Sequence, residues 1–511
     1  MPTFRKLLVA NRSEIAVRIL RTCRELGIKT VAVYSDADRD SLHVRYADEA
    51  RRIGPAPSTE SYLDIDAVLQ AARETGADSV HPGYGFLAEN AEFAKRCQEV
   101  GLVFIGPTPD AVALMGDKAE ARRVARKTGV PIVPGSEPIS SDADALGEAK
   151  RIGFPLLVKA VAGGGGKGMR IVSSESELET ALRQARSEAS TSFGNASVYL
   201  ERYLHHPRHI EFQIVADDAG SVVHLLEREC SIQRRHQKLI EECPSPRLDS
   251  ELRRRMGEAA VALARAADYR NVGTVEFLLD GNGDFYFLEM NARLQVEHPV
   301  TEMVVGLDLV RLQLDLAAGE ALPFTQADIR PHGWAMEFRI TAEDPYQDFL
   351  PSPGRIDFLR PAGGPGVRDD SGVFSGWEVQ SHYDPLIAKL IVWGRDRQEC
   401  LARAKRALEE YRVEGISTTL PFFQQVLRDP QFLAGEMDVG YIDRNWKGSA
   451  GGAGPVSNPV SIDVGRDRAA LIAAAVAAYR SVGRPRRGTT AKAAPSVWKR
   501  AGIREQHGSR L

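Results

Sequence analysis

The chain has 511 residues, 26% of them charged, and a formal net charge of −3. That length predicts about two to four domains, and the near-balanced charge argues against an obligatory nucleic-acid partner. The N-terminus leads from Lys6 into only four apolar residues before Asn11, and no apolar run approaches membrane-spanning length, so neither a signal peptide nor a membrane span is expected. Five cysteines without any C-x-x-C read as reduced thiols of a cytoplasmic protein.

Lys6 to Ala10 reads as a strand. Asn11 and Ser13 are expected to cap a helix running to Leu26 and ended by Gly27, and Lys29 to Ser35 is the next strand. That βαβ spacing predicts an open parallel sheet to about residue 110. The G-x-G-x-x-G expected of a nicotinamide site after the first strand is missing; Ala10-Asn11-Arg12-Ser13 stands there instead. His81-Pro82-Gly83-Tyr84-Gly85-Phe86 forms a tight loop at the carboxyl edge, either a ligand position or a structural turn.

Met115-Gly116-Asp117-Lys118 opens a basic helix to Lys127. A strand from Phe154 to Ala160 runs into Gly163-Gly164-Gly165-Gly166-Lys167-Gly168, and Met169 to Val172 returns as another strand. Strand after glycine run fails both the dinucleotide and the Walker A context; a glycine hairpin tip that covers phosphates, or a plain loop, remains. Ser197 to Leu204 is strand-like. His209 to Val215 alternates strictly, with His209, Glu211 and Gln213 on one face; His205, His206 and His209 read as surface histidines. Ser231 to Lys238 is dense in cations, either a solvated face or an anion-binding surface. Asp249 to Ala267 is a helix.

Two apolar runs, Gly273 to Leu279 and Phe285 to Met290, flank Asp280-Gly281-Asn282-Gly283-Asp284, a hairpin signal. With Asn282-Gly283 as turn centre, Glu276 faces Glu289 with Cβ atoms roughly 5 Å apart, Asn291 joins that face, and Phe277 and Leu288 point the other way. Opposed carboxylates destabilise unless a cation lies between them, and Glu, Glu and Asn suit magnesium. Arg293, Gln295 and Glu297 add a cation, an amide and a carboxylate able to act as base.

Further on, Ala335 to Thr341 and Gly354 to Leu359 read as strands, with Arg339 and Glu337 on one face as an ion pair, and Arg397 to Tyr411 as a helix. Packing is expected to end near Asn445. Gly448 to Pro459 is a linker, Arg466 to Arg480 an Ala-rich helix, and the stretch from Arg484 a basic tail.

Taken together, Met115 to Lys118, the Gly163 to Arg170 loop, Cys230 to Lys238, Glu289 to His298 and Arg339 to Pro345 closely resemble the ATP-grasp superfamily, and within it the biotin carboxylase component of biotin-dependent carboxylases. The resemblance covers about Phe4 to Asn445. It implies a mixed α/β and α+β fold: a Rossmann-like N-terminal domain (1–114), an ATP-grasp domain (115–330) with a mobile lid at about 132–203, a biotin carboxylase C-terminal domain (331–446), and the additional segment 447–511. By the same resemblance, Lys118, Lys159, Gly164, Gly165, Gly166, Gly168, His209, Gln233 and His236 would contact the phosphates or ribose of ATP. Glu201 and Leu204 would read adenine, with Met169, Leu278 and Leu288 packed on its ring. Glu276, Glu289 and Asn291 would hold magnesium or manganese. Lys238, Arg293, Gln295 and Val296 would hold bicarbonate, Glu297 would deprotonate it, and Arg339 would stabilise the biotin enolate.

Thr418-Thr419 replaces the family's usual Thr-Asn, at a place expected to lie far from the catalytic strings. No methionine is followed by lysine, so the biotin is expected on a separate carrier protein. The expected reaction is the first half-reaction of an acyl-CoA carboxylase. Its expected partners are that carrier, a second copy of the chain and a carboxyltransferase subunit. The terminal helix is expected to dock one of these partners, with a disordered tail as the alternative. A pyruvate-type carboxylase, another carboxyphosphate-forming ligase and a non-catalytic scaffold are the alternatives.

Overall fold

The computed structural model describes residues 4–139, 141–161, 169–193 and 196–446. The glycine run expected to cover phosphates and the terminal helix expected to dock a partner lie outside the described residues. Residues 1–451 form one compact unit.

Three sheets organise it. The first is parallel: strands β1 (Lys6–Val9), β2 (Lys29–Ser35), β3 (Glu49–Gly54), β4 (Ser79–His81) and β5 (Val103–Phe104) lie in the order β3-β2-β1-β4-β5. Its inner strands carry apolar runs, Leu7 to Val9 and Val31 to Val33, because helices such as Ser13–Glu25 and Ile65–Thr75 cover both faces. The first helix is preceded by Arg12, without a side-chain cap. Asn11 is otherwise engaged: its amide donates to the carbonyls of Pro82 (2.8 Å) and Tyr84 (2.7 Å), pinning the glycine loop. Gly83 sits at φ +66° there, and a Cβ on it would lie 2.8 Å from the Asn11 amide nitrogen.

A small antiparallel sheet follows, β7 (Met169–Val172), β6 (Leu156–Ala160) and β8 (Val198–Arg202) in that order. Helices Asp142–Ile152 and Glu175–Phe193 pack on it to give a separate small core around Leu156, Val158, Leu182 and Leu200.

The third sheet has eight strands and carries the site. Its central members are β9 (Arg208–Ala216), β10 (Val222–Arg234), β11 (Gln237–Cys243), β12 (Asn271–Leu279), β13 (Phe285–Asn291) and β14 (Trp334–Thr341). Their order is β13-β12-β9-β10-β11-β14, continued by Leu386–Gly394 and Val367–Ser371. Gly354 to Leu359 is not one strand: Gly354–Arg355 and Phe358–Arg360 pair with different partners, separated by the fully buried Ile356.

The β12–β13 hairpin departs from the expected two-residue turn. Asp280 to Asp284 form a five-residue loop in which the Asp280 carboxylate accepts from the amides of Asn282 (2.8 Å) and Asp284 (3.0 Å). The register next to the loop pairs Leu279 with Phe285, Leu278 with Tyr286 and Phe277 with Phe287, and then slips by one residue at Leu288. That bulge restores the pairing of Glu276 with Glu289. It also turns Leu288 to the Glu289 side, where both border the cleft, so Leu288 does not join Phe277 in the core.

Candidate active site

Along β9, Ile210, Phe212 and Ile214 enter the hydrophobic core beneath the helix Ser250–Ala266. The intervening His209, Glu211 and Gln213 therefore face the other way, and they too are buried, at 6%, 0% and 0% exposure. His209 is thus an interior residue, unlike the exposed His205 and His206. A sheet face this polar is tolerable only if its charges are paired and hydrogen-bonded. Over it opens a cleft of 1280 Å³, bounded by the sheet, by the small sheet's Lys159, Met169 and Glu201, and by Tyr84 and Phe86 of the first domain.

At the floor Lys238 bridges three carboxylates, its Nζ donating to Glu211 (2.5 Å), Glu276 (3.0 Å) and Glu297 (2.6 Å). Burial disfavours the ammonium, yet these three acids hold its pKa well above the usual lysine range. The second oxygen of Glu297 accepts from Arg339 Nη2 at 2.9 Å. Burial would raise the Glu297 carboxyl; Lys238, Arg339 and Arg228 overcome that and hold it well below the ordinary range. Arg339 also pairs with Glu241 (2.6 Å from Nε), and this pairing replaces the expected one with Glu337. Glu337 points into the same layer, fully buried and without a hydrogen-bond partner, and burial keeps its carboxyl protonated well above the normal range. Gln295 donates to Glu276 (2.8 Å), and the Val296 carbonyl accepts from Lys389 (2.8 Å). Arg293 donates to Glu89 and to the side-chain oxygen of Asn291, both at 2.8 Å.

Towards β13 the acids dominate. Glu276 lies opposite Glu289 in register, and Asn291 donates to Glu276 at 3.0 Å. Burial would raise the Glu276 carboxyl too, but Lys238 and His209 (Nε2 at 2.9 Å) hold it well below its usual value. Glu289 behaves oppositely: burial and the facing Glu276 raise it, and Lys118 at 3.8 Å only partly compensates. An acid so poorly neutralised beside a fully ionised one fits a hard divalent cation, and Glu276, Glu289 and Asn291 supply the oxygens for it.

At the other end Glu201 is held by Lys159 and by Arg122 at 2.7 Å. Met169, Leu204, Leu278 and Leu288 add an apolar lining. Gln233 approaches His209 (3.3 Å), and the β10–β11 turn consists of Arg235 and His236 alone, both at positive φ (49° and 65°). Every described residue expected to serve the site borders this one cleft; Gly164, Gly165, Gly166 and Gly168 lie outside the described residues.

Three residues escaped the sequence reading. Arg228 is fully buried and donates to Glu211, Gln213, Thr274, Thr301 and Gln295, tying four elements to the floor. Lys389 is equally buried; a lysine inside the apolar run Leu386–Gly394 was the signal available. Thr419, expected far from the site, is buried against Arg339: its hydroxyl donates to the Arg339 carbonyl (3.0 Å) and accepts from the Thr341 amide (3.0 Å). The substitution at Thr419 therefore falls against the backbone of β14, the strand that carries Arg339.

Comparison with known proteins gives three family matches in chain order: the biotin carboxylase N-terminal domain over residues 3–112, the ATP-binding domain of the carbamoyl-phosphate synthase L chain over 117–325, and the biotin carboxylase C-terminal domain over 337–444. A pyruvate carboxylase subunit of Methanothermobacter thermautotrophicus is 54% identical over 447 residues, 87% of this chain and 91% of the relative. Biotin carboxylase 1 of Bacillus subtilis is 52% identical over 441 residues, 86% and 98% of the two chains. Among solved structures, a biotin carboxylase–β,γ-ATP complex from Campylobacter jejuni superposes with a TM-score of 0.83 at 47% identity, covering 86% of this chain and 99% of that one. The biotin carboxylase domain dimer of Hydrogenobacter thermophilus 2-oxoglutarate carboxylase, with MgADP, ADP and bicarbonate, gives 0.82 at 47%, covering 86% and 97%.

Proposed function

Because the chain belongs to the biotin carboxylase family of ATP-grasp ligases, we propose the following division of labour in its cleft for ATP-dependent carboxylation of biotin. ATP lies between the small sheet and the large one, its adenine beside Glu201 and Leu204 against Met169, Leu278 and Leu288, and its phosphates towards Lys118, Lys159, His209, Gln233 and His236. Glu276, Glu289 and Asn291 hold magnesium or manganese, whose contribution when bound is to neutralise phosphate charge. Bicarbonate is held by Lys238, Arg293, Gln295 and Val296. Glu297 takes its proton, the freed oxygen attacks the γ-phosphorus, and the bond to ADP breaks, leaving carboxyphosphate. Carboxyphosphate separates into carbon dioxide and phosphate; phosphate takes the N1 proton of biotin, Arg339 stabilises the enolate, and N1 attacks carbon dioxide.

The observation that carries this reading is the grip of Lys238 and Arg339 on the two oxygens of Glu297. In that state the carboxylate is ionised but weakly basic. A bicarbonate that draws Lys238 onto itself loosens that grip and restores basicity to Glu297 at the moment a base is needed. The cleft thus couples substrate arrival to base activation. The test is ATP hydrolysis by the purified chain with magnesium, with and without bicarbonate and free biotin. Turnover needing bicarbonate and rising with biotin supports the reading; response to ammonia instead points to another carboxyphosphate ligase, and no turnover with retained ATP binding to a scaffold.

The partners of this reading are biotin on a separate carrier, a second copy of the chain and a carboxyltransferase subunit; relatives named as carboxylase subunits and the dimeric Hydrogenobacter domain support it. A cytoplasmic location accords with five buried free thiols and with no helix among the described residues long and apolar enough to cross a membrane. The string Tyr383-Asp384-Pro385 leans towards acyl-CoA and pyruvate systems alike, and relatives named for pyruvate and 2-oxoglutarate carboxylases share the same core. Reconstitution with carrier and carboxyltransferase, scoring acetyl-CoA, propionyl-CoA and pyruvate in parallel, decides the acceptor.

A further inference from the structure

Beneath the Gln295-Val296-Glu297 string lies a second layer of charge that the reaction scheme leaves unused. Lys389, on the strand Leu386–Gly394, is completely buried. Its Nζ donates to the Val296 carbonyl at 2.8 Å and lies 3.3 Å from Glu14, itself 2% exposed in the first turn of the helix Ser13–Glu25. One ammonium therefore joins three parts of the chain: the C-terminal region, the N-terminal domain and the peptide bearing the base.

This arrangement is costly. An ammonium and a carboxylate removed from water each carry a desolvation penalty, and a pair of apolar side chains of similar shape is often as stable or more so. Stability alone therefore gives little reason for it, and the geometry supplies another. The Val296 carbonyl belongs to the peptide unit whose nitrogen is that of Glu297. Glu297 immediately precedes the helix His298–Val305, without a side-chain cap of its own. A carbonyl locked from below fixes the rotation of that peptide, and with it the direction in which the Glu297 side chain leaves the backbone. Asp370, opposite Lys389 in register and ionised, is itself held by Arg368 at 3.0 and 2.7 Å. Glu337, the nearby acid on β14, stays protonated, and His298 stays neutral because burial and Lys389 both disfavour its charge.

We propose that Lys389, paired with Glu14, is a positioning residue for bicarbonate capture, acting through the Val296 carbonyl on the Val296–Glu297 peptide. The inference rests on the bicarbonate role assigned to that string above. Burial raises the Glu14 carboxyl to about 7 even beside Lys389, and without that ammonium it would be protonated, so the informative variant replaces both: Lys389→Met with Glu14→Gln, which deletes the donor while keeping a neutral group at position 14. The assay is bicarbonate-dependent ATP hydrolysis by the full chain, with thermal unfolding in parallel. The expected result is a folded protein whose KM for bicarbonate rises by about 10- to 100-fold, the scale of loss from a misplaced reacting group, with the KM for ATP within a factor of about two of the parent. Lys389→Gln with Glu14→Gln, which keeps a shorter neutral donor, should fall between them, and it serves as the test if the methionine variant does not fold. An unchanged KM for bicarbonate in either folded variant overturns the proposal, and so do parallel losses in both KM values, which mark a structural role only. Absence of bicarbonate-dependent turnover in the parent chain would instead sink the functional reading itself, before any variant is made.

Discussion

Lys238 Nζ lies 2.6 Å from one carboxylate oxygen of Glu297, while the other oxygen accepts from Arg339 at 2.9 Å. The base is therefore pre-aligned by the two cations expected to handle the substrates. Glu297→Gln preserves shape and removes the proton acceptor. It should lower bicarbonate-dependent ATP hydrolysis by about 10²- to 10⁴-fold, the usual contribution of a general base, while nucleotide affinity measured by calorimetry stays within a few-fold. Retained turnover in Glu297→Gln would assign proton removal to another group.

The Glu276–Glu289 pair makes a separable prediction. Glu289 is half-buried at the cleft edge and raised by its buried partner, whereas Glu276 is locked by Lys238 and His209. Glu289→Gln should therefore fold normally and raise the magnesium concentration needed for half-maximal activity by about 10- to 100-fold, the range seen when a metal's supporting groups are lost. A magnesium titration with ATP saturating reads this directly; an unshifted curve would remove Glu289 from the metal site.

That pairing also shows what the sequence could and could not reveal. The alternation of the two runs and the turn residues between them were legible, and they led to Glu276 opposite Glu289. Yet the turn is five residues long, and only the bulge at Leu288 brings the two acids into register; two departures cancelled. Bulges leave no local signature in a run such as Phe285–Asn291. Arg228 was illegible for a different reason: its five partners lie between 15 and 73 residues away, on two other strands, a helix and the connection before it, brought together only by the fold. Thr419 likewise reaches Arg339 across 80 residues. The parallel sheet was readable because βαβ spacing is local, whereas the three-part order came from the family resemblance of the motif strings.

The Arg235-His236 turn holds two side-chain-bearing residues in the left-handed region, where each L-residue costs roughly 1–2 kcal/mol. A two-residue hairpin of this hand favours Asn-Gly. Arg235→Asn with His236→Gly should raise the free energy of unfolding by about 1 kcal/mol, the relief being partly offset by glycine's backbone entropy. The Arg235–Asp348 ion pair is mostly exposed, so its loss matters little. The same variant should raise the KM for ATP several-fold, because strain of this kind persists where it positions a working group. Chemical denaturation and steady-state kinetics on one sample check both halves; destabilisation would show the strain is absent.

His81 gives the fold a pH dependence. Burial pushes its imidazole down to about 3, against a hydrogen bond with Gln313. An unfolded histidine titrates near 6.5, so this depressed group contributes stability above about pH 6.5 that is lost progressively as pH falls towards 3. Between pH 7 and pH 5 the loss amounts to about 2 kcal/mol. His81→Asn, which can still accept from the Gly83 amide as His81 Nδ1 does (3.0 Å), should unfold more readily at pH 7 but show a correspondingly smaller drop in Tm between pH 7 and pH 5. Parallel slopes would mean that His81 is protonated in the folded state.

Thr419 offers the last test, because it braces Arg339 through the backbone alone. Its hydroxyl is both donor to the Arg339 carbonyl and acceptor for the Thr341 amide, so Thr419→Val keeps the volume and leaves two buried backbone groups unsatisfied. Leaving such groups unpaired costs about 1–3 kcal/mol. Arg339 is the residue expected at the biotin enolate, so the kinetic consequence should fall on biotin: a several-fold higher KM for free biotin with the bicarbonate and ATP constants little changed. Thr419→Asn, the residue usual in the family at this position, has both a donor and an acceptor and should retain parental kinetics. Biotin-independent ATP hydrolysis serves as the internal control, since Arg339 enters the scheme only after carboxyphosphate has formed. If Thr419→Val depresses that basal rate as much as the biotin-stimulated one, the brace supports Glu297 through Arg339 and not the enolate step.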